Sequence, residues 1–84
     1  MFGSMELSKI IGQNARRMRK ALRLNQDDFA AKAELSQQQI SKIERGSQNV
    51  TLKSIAKLAK AFDVPDIELF LPPDMEVRRK HDAK

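Results

Sequence analysis

The sequence has no cysteine, no tryptophan and no tyrosine, and only three glycines and three prolines. Without cysteine there is no disulfide framework and no thiolate metal site, which fits a reducing compartment. No apolar run approaches the ~20 residues that a membrane span needs. The N-terminus lacks the apolar core of a secretory signal. These absences lead us to expect a soluble, cytoplasmic protein. His81 is the one histidine, and it stands in a charged tail with no partner for catalysis or metal binding. There is no glycine-rich phosphate loop and no nucleophile–base–orienter set. No enzyme activity, cofactor, metal or small-molecule substrate is expected.

What remains is helical material. Scarce glycine and proline, with abundant Ala, Lys, Arg and Gln, favour helix over sheet. The 84 residues suit one small domain, which often gains stability by pairing. Lys and Arg number 16 against 11 Asp and Glu, a net charge of +5 with a pI near 9.9. That balance suggests a polyanionic partner such as nucleic acid, against the plainer reading of a basic solvated surface.

Periodicity and capping residues divide the chain. "MFGS" at 1–4 reads as a cloning remnant, 5–72 as the domain and 73–84 as a charged tail. A first helix is expected over 8–23, capped by Ser8, with Leu7, Ile10, Ile11, Asn14, Met18 and Leu22 on its inner face. Its other face carries Lys9, Arg16, Arg17, Lys20 and Arg23. A short second helix, 26–33, has Asn25 as cap, Asp28 to close a capping box, and Phe29, Ala30 and Ala33 inside. A third, 37–44, starts after Ser36, turns Ile40 and Ile43 inward and stops at Gly46. Thr51 caps a fourth, 52–62, whose stripe is Leu52, Ile55, Ala56, Ala59 and Phe62, with Leu58 beside it. Pro65 suits the first turn of a fifth helix ending near Phe70. Leu58, Val64, Ile67 and Leu71 exceed what one small core needs, which marks a candidate dimer face.

Two short helices joined by "ELS", the second locked by Ile40 and Ile43, make a helix-turn-helix pattern. The residues not spent on its core are Gln37, Gln38, Gln39, Ser41, Lys42 and Arg45. A glutamine amide gives and takes hydrogen bonds at once, matching N7 and N6 of adenine, and lysine suits guanine or a phosphate. Candidate base contacts are therefore Gln37, Gln38, Ser41 and Lys42, with Gln39 balanced between the groove and the flank. Asn25, Ser36, Arg45, Ser47, Gln48 and Asn49 are candidate DNA-backbone contacts. For Arg45 an equal alternative is to complement the helix dipole.

"LNQDDFAAKAELSQQQISKIERG", followed by "NVTLKSIAKLAKAFDV", resembles the Cro and lambda-repressor-like helix-turn-helix regulators, including the xenobiotic-response-element type. The likeness runs over about 10–70. It implies a compact all-α domain of five helices that acts on operator DNA as a dimer. It implies that Gln26 binds a phosphate and braces Gln37, that Gln37, Gln38 and Lys42 face base edges, and that Arg19 and Glu44 form a partly buried structural ion pair. Glu34 departs from the family, standing where relatives have the turn glycine, at a cost of about 1 kcal/mol. Val50 replaces a common proline. "NVT" and "VPDI" look like the controller proteins of restriction–modification systems. The resemblance thus implies a sequence-specific regulator, a homodimer on double-stranded DNA, with RNA polymerase a candidate contact. The alternative is an antitoxin that represses its own toxin–antitoxin operon.

Overall fold

Local capping chemistry sets most of the helix boundaries. The computed structural model describes residues 4–47 and 50–72. Among these it has four α-helices, α1 (Ser4–Ala21), α2 (Gln26–Ala33), α3 (Gln37–Arg45) and α4 (Leu52–Phe62), and a short 3₁₀ segment (Asp66–Phe70), with no strand. Asn25, Ser36 and Thr51 each sit in extended backbone and accept a hydrogen bond from the N–H three residues on, which satisfies an otherwise orphaned donor of the first turn. At the other end α3 stops at Gly46, in the left-handed region with φ 65°.

Three non-glycine residues take the same strained conformation at or just past a helix end, Arg23 beyond α1 at φ 61° among them. Glu34 closes α2 at φ 59°, ψ 41°, and Asp63 closes α4 at φ 60°. A β-carbon in this region costs about 1–2 kcal/mol, while glycine gives part of that back through a freer unfolded chain. Glu34→Gly is therefore expected to raise stability by about 0.5–1 kcal/mol. The carbonyl that receives Lys57 Nζ at 3.0 Å is backbone, so that bond survives the change. A thermal midpoint equal to or below that of the parent contradicts the assignment of strain.

The core lies between α1, α2, α4 and the inner face of α3. Ile11, Phe29, Ile40, Ile43, Ile55, Leu58 and Leu69 are all buried there. Phe29 stacks on Phe62 with ring centroids 4.7 Å apart, at the near end of the favourable range for aromatic pairs. Gly12 brings α1 directly onto the end of α3. A β-carbon there would lie 2.2 Å from the carbonyl oxygen of Ile43 and 3.0 Å from that of Glu44, so only glycine allows this approach.

Several expectations are corrected, among them the inward placing of Leu7, Leu22 and Ala56, all three of which are exposed. Ser8 is not a cap: it is buried within α1, which takes in Ser4–Ala21. The fifth helix is the 3₁₀ segment. Proline contributes no N–H at its start and no side chain caps it, and five residues fall well short of the ~12 at which a helix becomes self-sustaining. Leu58 has no exposure at all; α4 turns it into the core of its own chain, so it cannot form a dimer face. Leu52 is 81% exposed rather than on the inner stripe, because it is the first residue of α4.

A buried side chain reinforces the 3₁₀ segment, whose own backbone bonding includes Glu68 N–H to the Pro65 carbonyl at 3.0 Å. Asn14, fully buried on α1, donates from Nδ2 to the carbonyls of Leu71 (2.6 Å) and Leu69 (3.0 Å), with a longer approach to that of Glu68. Arg17 donates in turn to Asn14 Oδ1 at 3.2 Å. A buried amide with its groups paired in this way stitches the end of the domain to its beginning.

Candidate nucleic-acid interface

The outward side of α3 is free because Ile40 and Ile43 take its inner side into the core. Gln37, Gln38, Ser41, Lys42 and Arg45 line one shallow depression along it. All but half-buried Ser41 are exposed. The spacing of one, three and four residues puts them on one helix face. The surface offers amides, a hydroxyl and two cations, with no carboxylate among its lining residues.

Gln39 takes a different role. Its Oε1 accepts from the Ser36 N–H at 2.9 Å while Ser36 Oγ accepts from the Gln39 N–H at 3.0 Å. This reciprocal capping box commits the Gln39 amide oxygen, though not its NH2 group, to the start of α3. Gln39 is therefore a cap rather than a member of the outward set. The Ser36 oxygen is spent on the same box, although its hydroxyl proton can still be donated.

Behind the outward face runs a chain of polar contacts linking α1, α2 and α3. Arg19 donates to Glu44 through Nε (2.6 Å) and Nη2 (3.1 Å), and through Nη1 to the carbonyl of Leu24 at 2.7 Å. The pair is well shielded, with side-chain exposures of 10% and 2%. Gln26 Nε2 donates to Glu44 at 3.1 Å, and Gln26 Oε1 accepts from Gln37 Nε2 at 2.7 Å. The first side chain of the outward face is thus tied to the interior.

The other named residues surround this face. Asn25 is exposed and its Oδ1 accepts from the Asp28 N–H at 2.7 Å, leaving its NH2 group for another partner. Ser47, just past α3, donates to the carbonyl of Lys42 through both its N–H and its hydroxyl. Gln48, Asn49, "MFG" at 1–3 and the tail at 73–84 lie outside the described residues. Among the dimer candidates, Val64 and Leu71 are half-buried and Ile67 is 56% exposed. Lys9, Arg16, Arg17 and Lys20 face solvent along α1, and Arg23 does so just beyond its end. Among the described residues no group of His, Cys, Asp or Glu is arranged to hold a metal, and no helix is long and apolar enough to cross a membrane.

Asn14 and Gly12 carry structural roles outside the outward face. Asn14 was visible as a polar residue on an apolar stripe, the usual sign of a buried side chain with a long-range partner. Gly12, inside a helix, marked a close backbone approach.

The geometry agrees with what known proteins offer for comparison. A family model described as helix-turn-helix matches residues 16–69. An uncharacterised helix-turn-helix-type transcriptional regulator, y4dJ of Sinorhizobium fredii, is 37% identical over 70 residues, 83% of this chain and 91% of that protein. Among solved structures, the restriction–modification controller protein C.AhdI from Aeromonas hydrophila superposes with a TM-score of 0.71 at 38% identity, covering 75% of this chain and 96% of its own. The wild-type restriction–modification controller protein C.Esp1396I gives 0.68 at 33% identity, over 76% and 82%.

Proposed function

The chain belongs to the helix-turn-helix family of Cro and lambda-repressor-like transcription regulators, and from that premise we propose that it is the controller of a restriction–modification system, reading a two-fold related operator as a homodimer in the cytoplasm. The observation that carries the reading is the exposed amide-and-cation face of α3, held in register by the Gln26–Gln37 bond. In a dimer, two such faces enter successive major grooves about 34 Å apart. Gln37 and Gln38 read base edges with Ser41 and Lys42 beside them. Gln26, Asn25, Ser36, Arg45, Ser47, Gln48 and Asn49 hold the phosphate backbone, so affinity falls steeply with salt. Placement on the promoter then governs access or contact of RNA polymerase.

Gln37→Ala or Gln38→Ala is expected to cost about 1–3 kcal/mol at one base step per half-site and to relax preference there. Gel shifts on duplexes varied at single positions measure this. An equal loss on every duplex contradicts base reading.

The dimer face is proposed around the 3₁₀ segment, where Ile67 stands exposed beside half-buried Val64, Phe70 and Leu71. Ile67→Asp is expected to leave the fold intact, shift the protein to monomer and weaken operator binding. An unchanged sedimentation coefficient rules this face out.

A further inference from the structure

The amide of Gln37 is not free to choose its orientation. The Glu44 carboxylate accepts two bonds from Arg19 and a third from Gln26. A carboxylate has no proton to give, so the end of Gln26 turned towards it is the NH2 end. The Gln26 oxygen then faces the other way. Whatever meets that oxygen at 2.7 Å has to donate, and the group there is Nε2 of Gln37. Each amide in the chain takes its polarity from the one behind it.

We propose that Glu44 acts as a positioning residue that sets the polarity of the Gln37 amide at the DNA surface, with Gln26 as the relay. The inference rests on the reading of Gln37 as a base contact. Arg19 keeps the carboxylate in place, because its third donor is fixed on the Leu24 carbonyl at 2.7 Å. With Nε2 committed to Gln26, Gln37 presents its oxygen and one remaining N–H. That pair matches the N6 donor and N7 acceptor of adenine. An inverted amide sets its NH2 group against the adenine amino group, donor facing donor. Discrimination at this base step therefore originates in a nearly buried carboxylate that touches no DNA.

The relay makes a prediction that a purely structural ion pair does not. In Glu44→Gln, keeping the oxygen on the shorter bond from Arg19 Nε gives up the bond from Arg19 Nη2 and puts the NH2 where Oε1 met Gln26, which reverses both amides in the relay. Adding Gln26→Glu restores an acceptor opposite Gln37 and returns its amide to the original orientation. Gln26→Ala cuts the relay while leaving the Arg19–Glu44 pair whole.

The experiment first selects a duplex with the unsubstituted protein and finds the position whose preference Gln37→Ala erases. Competition among the four base pairs at that position then gives a preference ratio for each variant, and circular dichroism reports folding. The unsubstituted chain is expected to prefer adenine. Glu44→Gln and Gln26→Ala are each expected to reduce that preference roughly tenfold, the size of one good bidentate contact. The double variant is expected to recover it, even where a carboxylate at position 26 lowers affinity for all duplexes alike. An unchanged preference ratio in Gln26→Ala overturns the relay, and this variant decides alone where Glu44→Gln does not fold. Failure of the double variant to recover the ratio of a folded Glu44→Gln also overturns it. If Gln37→Ala erases no position, the base-reading role of Gln37 falls, and the relay with it.

Discussion

Leu58→Asp is expected to abolish folding. Leu58 has no exposed surface and sits in the core with Phe29, Ile40, Ile55 and Leu69. Replacing it removes a fully buried side chain, and losses of this kind cost about 2–5 kcal/mol for truncation alone. The carboxylate adds the larger burden, since an unpaired ion in an apolar site costs several kcal/mol even after relaxation. A domain of this size has a total stability on the order of 4–13 kcal/mol. The sum consumes most or all of it. Circular dichroism is expected to show loss of helix at ambient temperature. A folded, monomeric Leu58→Asp protein would contradict the placement of Leu58 and revive it as an interface residue. Ile67→Asp is the informative contrast, because that side chain is already more than half in solvent.

Glu44→Ala is expected to destabilise the domain by about 3–5 kcal/mol, the usual cost of removing one partner of a buried ion pair. The Arg19 guanidinium, 10% exposed, keeps only the carbonyl of Leu24 from its present bonds. For a domain of 60–100 residues each kcal/mol moves the thermal midpoint by about 4–8 °C, so the shift is large. The cause can be separated from the loss of packing. Arg19→Met with Glu44→Leu removes both charges and is expected to recover most of the loss, since apolar replacement of a whole buried pair is often neutral or stabilising. Chemical denaturation of the two variants measures the difference. Equal destabilisation by both would mean that packing, not an orphaned charge, dominates.

The parts of the fold that were legible in advance are those decided by local chemistry. Asn25, Ser36 and Thr51 each supply an oxygen where a helix begins, and Gly46 supplies a left-handed stop, so α2, α3 and α4 could be placed almost to the residue. The outward set on α3 was legible for the same reason: once Ile40 and Ile43 are turned inward, the rest of that short helix has nowhere else to face. Expectations failed where an answer depended on a distant partner. Ser8 has the chemistry of a cap but lies inside α1, and no local feature separates the two. The segment after Pro65 is positioned by Asn14, a bond spanning 57 positions, which periodicity does not see. Leu52 and Leu58 are the same residue type on one helix, and only the tertiary packing sends one to solvent and the other to the core. Gln39 differs from its two neighbours through a single backbone N–H at Ser36.

The most direct test of the account is selection from a pool of random duplexes by the unsubstituted protein. Binding by the α3 faces of a homodimer predicts enrichment of one two-fold related site, its half-sites about one helical turn apart, with affinity falling steeply as salt rises. Binding that depends on salt but enriches no sequence, or that enriches a single unpaired half-site, would contradict it.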